Sequence, residues 1–467
     1  MEQKKNTFSG GLGFVLAAAG SAVGLGNIWR FPYLAAAYGG GIFLLIYILL
    51  VFTFGYALMV AETSIGRKTG RSSLYAFSEL SKKWKWLGAL ATLIPCIILP
   101  YYNVIGGWII KYFFEYLTGT FTDIFGSVFN FTSSSVHGTE LAAGADYFSN
   151  MLASPLTLIV TQTIFTLFVS VVLLKGVQKG VEKVNTVLMP ILIVLAIVVA
   201  VYSITLPGAM EGVKYFFIPK VENFSIITVL VAMGQMFYSL SLAMGIMIVY
   251  GSYMPKNTSL EKNISRIELF DTLIAVLAGL MVIPAVFAFD KTQLASGPGL
   301  MFVTLPKVFN SMPFSNVIGL IFFFLVFAAA ITSAISIMET IVACVTEKFK
   351  LSRKKSVIWV AVISWLVGCL PALGYNVLSN VKFFGRFDIL DFMDFTTNSV
   401  LMPICALLTC FFITFGIGTK VVEDEVLLFG EFKRKKLFNV MIKYIAPILI
   451  CAVLVSSILN SFGIISM

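Results

Sequence analysis

A short run near the amino terminus places glycine, asparagine and arginine inside a strongly apolar segment. Residues 20–33 read GSAVGLGNIWRFPY, and the glycines interrupt a stretch that would otherwise cross a membrane. In hydrocarbon every backbone amide and carbonyl needs a partner, so such a break persists only where it is buried in protein or lines a ligand cavity. The run therefore predicts a site that binds ligands.

An interrupted helix exposes two ends of opposite polarity. Carbonyls at the end of the first half carry partial negative charge, and amides at the start of the second half carry partial positive charge. One end therefore suits a cation and the other a carboxylate. Gly24 and Gly26 allow close approach of a ligand, and the side-chain oxygen of Asn27 suits a hard cation such as sodium. Close helix packing is the alternative interpretation, but it does not require Asn27, Arg30 and a second interrupted helix.

The composition places these residues in a membrane protein. The chain has 467 residues, of which 58% are hydrophobic and 12% charged, and its mean hydropathy is +0.94. A soluble protein carries about a quarter charged residues. Apolar runs of roughly 20 residues can span a bilayer. We predict an all-α polytopic membrane protein with eleven spans, at residues 11–37, 41–65, 87–117, 155–174, 184–204, 225–253, 267–289, 314–346, 357–374, 392–417 and 437–462.

The positions of Lys and Arg predict the orientation. Of the 33 basic residues, 25 lie in the amino-terminal segment or in every second loop after the first span. The other 8 lie in the alternate loops or near the helix ends next to them. Positive charge accumulates in cytoplasmic loops, so we predict a multi-pass protein of the cell membrane with a cytoplasmic amino terminus and an extracellular carboxyl terminus. The same distribution accounts for the net charge of +10. The expected partner is the lipid bilayer, and nucleic acid is not expected.

The two interrupted spans indicate an internal repeat. The sixth span is broken by small and polar residues at 239–245, five helices after the first break. We therefore predict a single transmembrane transporter domain, 1–467, built from two inverted five-helix repeats at 10–205 and 225–418, with an additional helix at 437–463. Interrupted segments at matching positions of two halves indicate a transporter binding site near the bilayer midplane.

Several motifs together resemble one family. The similarity to the neurotransmitter:sodium symporter family covers nearly the whole chain, and the eleven-helix form is similar to its shorter prokaryotic amino-acid transporters. The motifs that carry the resemblance are residues 20–33, 39–41 and 62–67 in the first two helices, 234–241 in helix six, 332–333 in helix eight and 390–395 at helix ten.

The resemblance implies two sodium sites and no organic cofactor. One site is expected between helices one and eight, from the carbonyls of Gly20, Val23 and Ala329 and the hydroxyls of Thr332 and Ser333. The other is expected to use Ala22, Asn27, Ser239 and Asp271, together with the substrate's carboxylate. Because Asp271 would supply the charge that chloride provides in other relatives, chloride-independent transport is expected. Whether Asp271 binds sodium or only balances its charge stays open at this point.

The resemblance also implies an amino-acid substrate. Its carboxylate is expected on the amides of Leu25 and Gly26 and the hydroxyl of Tyr102, and its amino group on the carbonyls of Ala22, Tyr238 and Ser241. Relatives that carry monoamines place an aspartate at the position of Gly24, so glycine favours a substrate with its own carboxylate. The other residues expected to bind substrate are Ile98, Ser239, Met244, Ser333 and Ile337. This mostly apolar set favours a hydrophobic, neutral L-amino acid, although Ala243, often glycine in relatives, argues against bulky aromatic ones.

Two charged pairs resemble the family's gates. Arg30 and Asp394 are expected to close the outer path above the substrate. Lys5 and Glu347, supported by Tyr253, are expected to close the inner path. On helix five, Gly180 and Pro190 have the spacing that the family uses to unwind the cytoplasmic end, and a simple proline kink is the alternative.

These expectations describe a sodium-coupled symporter that imports an amino acid by alternating access. The sequence leaves three alternatives: a sodium-permeable channel or sensor with the same fold, a proton-coupled carrier, and a membrane enzyme. The enzyme is disfavoured because no metal-ligand cluster is evident and the lone histidine, His137, falls in a predicted loop, which leaves few groups for acid–base chemistry.

Overall fold

The computed structural model of this chain is almost entirely helical and describes residues 7–129, 144–289 and 299–461. The first half contains helices α1 Gly11–Ala22, α2 Gly26–Ala37, α3 Gly41–Thr69, α4 Ser73–Leu80, α5 Lys82–Phe121, α6 Ala145–Ala153, α7 Pro155–Leu174, α8 Val177–Ile204 and α9 Ala209–Phe217. The second contains α10 Ile226–Ser239, α11 Ile246–Tyr253, α12 Leu260–Phe289, α13 Leu300–Asn310, α14 Ser315–Phe349, α15 Arg353–Leu373, α16 Ile389–Ile417, α17 Thr419–Leu427 and α18 Lys435–Leu459. The prediction of an all-α membrane protein is confirmed.

About ten membrane spans are evident in the described ranges. Nine helices are long and apolar enough to cross a bilayer, and α1 with α2 forms a tenth, bent by 49°. The predicted sixth span consists of two shorter helices, α10 with 14 residues and α11 with 8. The predicted count of eleven therefore depends on treating α10 and α11 as one broken span.

Both predicted breaks are present. The first helix is interrupted between Ala22 and Gly26, and the sixth between Ser239 and Ile246. In the second break Ser241, Ala243 and Gly245 have φ values of 52°, 61° and 75°. For a residue with a side chain this left-handed conformation costs roughly 1–2 kcal/mol. Such strained backbone conformations persist only where contacts with the surrounding structure stabilise them.

Replacing Ala243 with glycine is expected to stabilise the protein. Glycine adopts positive φ without the Cβ clash, and the Ala243 amide keeps its 2.8 Å hydrogen bond to Glu62 Oε1. The expected gain in unfolding free energy is about 1 kcal/mol, measured as a higher Tm in detergent. Gly245→Ala, which places a side chain at positive φ, should lower the Tm. A lower Tm for Ala243→Gly would contradict this account.

The long helices surround the broken ones. Helix α5 is central, since 83% of its most apolar 18-residue segment is buried. In α18, only 28% of the most apolar segment is buried. Helix α1 packs against α8, α12 and α14, so the first break lies inside the bundle. Large apolar side chains such as Leu167, Val194 and Ile448 are exposed on outer helices, as expected for a surface that faces lipid. The fifth predicted span, α8, is helical from Val177 to Ile204 in this structure.

Candidate functional site

A cavity lies between the two helix breaks. It has about 360 Å³ of space not filled by atoms, part of it open to solvent, and is lined by Ser21, Ala22, Gly24, Leu25, Gly26, Ile98, Tyr102, Tyr238, Ser241, Met244, Ser333 and Ile337. The structure thus brings together eleven of the twelve residues predicted to bind substrate. Ser239 does not line the cavity, and Ser21 lines it without having been predicted.

One end of the cavity is a helix amino terminus with a free hydroxyl beside it. Helix α2 begins at Gly26, preceded by Leu25, and the first amides of a helix have no partner within it. The buried hydroxyl of Tyr102 has no hydrogen-bond partner among the described residues. A carboxylate placed here would accept bonds from groups that are otherwise unsatisfied and would meet the positive end of the helix dipole.

Gly24 lies where a side chain would occupy the cavity. A Cβ built on Gly24 would collide with Ser333 Oγ and come within 3.6 Å of the Tyr102 hydroxyl oxygen. The space beside the helix end is therefore available to a ligand only because position 24 carries no side chain.

The other side of the break presents oxygen atoms. Ser21 O accepts hydrogen bonds from Ser241 Oγ at 3.0 Å and from Ser333 Oγ at 3.1 Å. These bonds join α1, the second break and α14 around the cavity. Carbonyls at the end of α1 carry the negative end of its dipole, so this side suits an ammonium group or a cation.

The residues predicted for the first sodium site converge between α1 and α14. Gly20, Val23, Ala329, Thr332 and Ser333 are all buried. Thr332 Oγ1 donates to Ala329 O at 3.0 Å, and Ser333 Oγ lies 3.5 Å from Gly20 O. The donor set consists of neutral oxygen atoms, which fits a monovalent hard cation better than a transition metal.

The residues predicted for the second sodium site form a connected polar cluster. Asn27 Nδ2 donates to Asp271 Oδ1 at 2.8 Å. Ser239 Oγ lies within hydrogen-bond distance of two acceptors, Asn27 Oδ1 at 2.9 Å and Asp271 Oδ1. The Tyr47 hydroxyl donates to Asp271 Oδ2 at 2.8 Å. Ala22, the remaining predicted ligand, lines the adjoining cavity. A fully buried carboxylate within a membrane span needs such partners, and it indicates a functional site.

At the predicted outer end, the two residues of the predicted gate pair do not contact each other directly. Arg30 Cζ lies 5.4 Å from the centroid of the Tyr238 ring, and Asp394 accepts a 2.6 Å hydrogen bond from Asn398 Nδ2. Within the described ranges, Arg30 and Asp394 form no direct ion pair. The outer pair is therefore open in this structure.

At the predicted cytoplasmic end, other residues make the contacts. Lys5 lies outside the described residues, and Glu347 instead pairs with Arg71 at 3.0 Å and accepts the Ser72 amide at 2.9 Å. Tyr253 donates to the buried Glu339 at 2.9 Å, and Glu339 binds Arg353 through both oxygens, at 2.8 and 2.5 Å. These bonds join α11, α14 and α15 at this end of the bundle, and they were not predicted. The signal was present, because Glu339 is an ionisable residue inside a predicted span.

Breaking the Glu339–Arg353 pair is expected to loosen helix packing at the predicted cytoplasmic end. Arg353→Gln leaves Glu339 without its charge partner, and loss of one member of a buried pair costs about 3–5 kcal/mol. We expect faster amide hydrogen exchange in α1, measured by mass spectrometry, with α18, which in the described part of the chain does not pack against α1 or α15, unchanged. Lys354→Gln, at an exposed neighbouring position, is the control. If wild type, Arg353→Gln and Lys354→Gln show equal exchange in α1, the Glu339–Arg353 pair does not hold this end of the bundle together.

Comparisons with known proteins agree with this geometry. A profile described as the sodium:neurotransmitter symporter family matches residues 5–464. An uncharacterized sodium-dependent transporter of Bacillus subtilis, YhdH, is 36% identical over 470 residues, covering 100% of this chain and 99% of its own length. An uncharacterized sodium-dependent transporter of Haemophilus influenzae is 32% identical, with coverage of 98% and 99%.

Among solved structures, the crystal structure of MhsT in complex with L-phenylalanine matches with a TM-score of 0.85 and 36% identity, covering 97% of this chain and 99% of that chain. The similarity therefore extends over nearly the entire fold. These matches exclude the membrane enzyme. The chain belongs to the sodium:neurotransmitter symporter family and is a sodium-dependent membrane transporter.

Proposed function

We propose that this protein imports a hydrophobic L-amino acid together with sodium, without a requirement for chloride. The shape and chemistry of the cavity carry the proposal. Part of the lining offers helix amides and the Tyr102 hydroxyl, and the apolar part includes Ile98, Met244 and Ile337. No acidic or basic side chain is found among the described residues that line it. A zwitterion with an apolar side chain fits this arrangement, because a charged side chain would be buried without a partner.

The proposed pose follows the polarity of the cavity. The substrate carboxylate lies on the Leu25 and Gly26 amides and the Tyr102 hydroxyl. Its ammonium group lies on the carbonyls of Ala22, Tyr238 and Ser241. The side chain extends toward the apolar wall, and Ser333 borders it. The complex of MhsT with L-phenylalanine supports an amino-acid substrate and favours including aromatic side chains.

Two sodium ions are proposed to accompany the substrate. One binds at Gly20, Val23, Ala329, Thr332 and Ser333, and the other at Ala22, Asn27, Ser239 and Asp271. The second ion touches the substrate carboxylate, so ion and substrate bind cooperatively. The carboxylate of Asp271 balances the ion's charge, which removes the need for chloride.

The proposed transport cycle uses the predicted architecture. Eleven spans, counting α10 and α11 as one, form inverted repeats at 10–205 and 225–418 with a peripheral helix at 437–463. The amino terminus is cytoplasmic and the carboxyl terminus extracellular. Arg30 and Asp394 close the outer path, while the inner path is closed by the contacts around Tyr253 and Glu347, with Lys5 as a further partner of Glu347.

A thermal-shift screen of the twenty amino acids tests the substrate proposal. Ligand at a hundredfold excess over its Kd stabilises the native state by about 2.7 kcal/mol. We expect the Tm to rise with apolar L-amino acids in sodium and to stay constant in choline. Stabilisation by acidic or basic amino acids alone, or equal stabilisation in choline, would contradict the proposal.

Uptake into proteoliposomes separates the symporter from its remaining rivals. A symporter accumulates labelled amino acid against its own gradient when sodium is high outside. A channel or sensor does not accumulate it. A proton-coupled carrier continues without sodium and is insensitive to Thr332→Val.

A further inference from the structure

One buried polar atom beside the first sodium site has no partner. Asn185 lies in α8, is 0% exposed, and donates from Nδ2 to Val181 O at 2.8 Å. Its Oδ1 finds no donor anywhere in the described part of the chain. A buried acceptor left unpaired costs about 1–3 kcal/mol, so this oxygen is expected to have a partner in the working protein.

The free oxygen points at the ion-binding end of α1. A Cβ built on Gly20 would collide with Asn185 Oδ1, and the same Cβ would be 3.4 Å from Thr332 Cβ. Asn185 Oδ1 therefore lies where α8 meets Gly20 of α1 and Thr332 of α14. Both of these residues belong to the proposed sodium site, and the other oxygens of that site come only from α1 and α14.

The chemistry of this oxygen matches the site. Hard cations bind oxygen ligands, and the side-chain carbonyl of asparagine is one of these; the proposed set supplies five oxygens, all from the segments of helix one and α14. We propose that Asn185 Oδ1 is a further ligand of the sodium ion held between α1 and α14, contributed by α8. This inference rests on the proposed function, because it takes that site to bind sodium.

Neighbouring contacts explain what a ligand from α8 would do. On the same face of α8, Gln178 Nε2 donates to Thr7 O at 2.8 Å, and Glu182 accepts the Ser9 amide at 2.9 Å. Positions 178, 182 and 185 are spaced by four and three residues, so they form one stripe along the helix. The stripe joins α8 to α1 at its beginning, and a shared ion joins them at its end. Bound sodium then holds the inner half of helix one against α8.

Sodium-dependent stabilisation without substrate tests the inference. The Tm is measured in purified protein as sodium replaces choline at constant ionic strength, for wild type, Asn185→Leu and Asn185→Asp. Leucine has a similar shape and no oxygen, so the sodium concentration for half-maximal stabilisation is expected to rise about tenfold. Aspartate keeps the oxygen and adds charge, so this concentration is expected to fall or stay equal. Ser203→Ala changes another buried, unpartnered oxygen of α8, about 27 Å along the helix, and should match wild type.

The outcomes separate failure of the inference from failure of the proposed function. If Asn185→Leu lowers the Tm in choline but keeps the wild-type sodium dependence, Asn185 is a packing residue and the inference is wrong. The same conclusion follows if the aspartate variant loses its sodium response. Thr332→Val removes a proposed ligand and should reduce that response. If Thr332→Val and wild type respond identically, the proposed sodium site itself is wrong.

Discussion

Replacing Gly24 with aspartate is expected to abolish amino-acid uptake. The new carboxylate would lie beside Ser333 Oγ and the Tyr102 hydroxyl, in the space proposed for the substrate carboxylate. Two like charges about 4 Å apart repel by about 4 kcal/mol at an effective dielectric constant of 20, so uptake should fall by more than a hundredfold. The measurement is initial uptake of labelled amino acid into proteoliposomes. In a competition binding experiment, the affinity for the corresponding amine, which has no carboxylate, should rise relative to the affinity for the amino acid.

The controls separate charge from crowding. Gly24→Ala also meets Ser333 Oγ but adds no charge, and it should retain more binding than the aspartate variant. Gly234→Ala adds a Cβ where no atom lies within 4 Å and should behave as wild type. If Gly24→Asp transports the amino acid normally, the carboxylate does not bind at the start of α2.

Removing the Asp271 carboxylate is expected to have a similarly large effect. In Asp271→Ala, the side chains of Asn27, Ser239 and Tyr47 lose their hydrogen bonds to a carboxylate, and a hydrogen bond to a charged group contributes about 1.5–3 kcal/mol. The site also loses the charge that balances sodium. We expect sodium-dependent uptake in chloride-free medium to fall at least a hundredfold. Asp271→Ser leaves space for an anion, so chloride should restore part of its uptake.

Anion replacement in the wild-type protein completes this test. If Asp271 provides the charge, exchange of chloride for gluconate should leave wild-type uptake unchanged. The exposed acid Asp146 serves as control, and Asp146→Asn should transport normally in both media. Loss of wild-type uptake in gluconate would show that chloride is required and that Asp271 does not replace it.

The fold class was accessible from the sequence because lipid imposes a simple rule. Each span must be apolar for roughly 20 residues, so helix positions follow from hydropathy alone. The sixth span shows the limit of that rule. Hydropathy predicts one segment at 225–253, but the structure forms two short helices, because apolar content does not show where the backbone leaves the helix.

The cavity was largely predicted through family resemblance, and the structure corrects it at single residues. Ser239 was expected to contact both substrate and sodium, yet its Oγ bonds to Asn27 and Asp271 instead of facing the cavity. Ser21 was not expected, but its carbonyl accepts Ser241 and Ser333. Which face of a broken helix a side chain occupies depends on the bend, and the bend depends on neighbouring helices.

Ion pairs at the predicted cytoplasmic end were the least predictable feature. Glu347 binds Arg71 across a separation of 276 residues, and Glu339 binds Arg353 around the turn between α14 and α15. Many basic residues lie at that end, and electrostatic attraction does not discriminate among them in sequence. Packing of α3, α11, α14 and α15 decides which charge meets which carboxylate.

The run at residues 20–33 by itself determined that helix one is broken, and it predicted a ligand site there, because polar backbone groups at membrane depth need a partner. Through the family resemblance, Gly24 also predicted that the site has room for a carboxylate. Only the tertiary structure decided that α8 packs against α1 at Gly20, because Asn185 is 165 positions from Gly20 in the chain. Their contact arises from helix packing, which brings together residues that no sequence spacing relates.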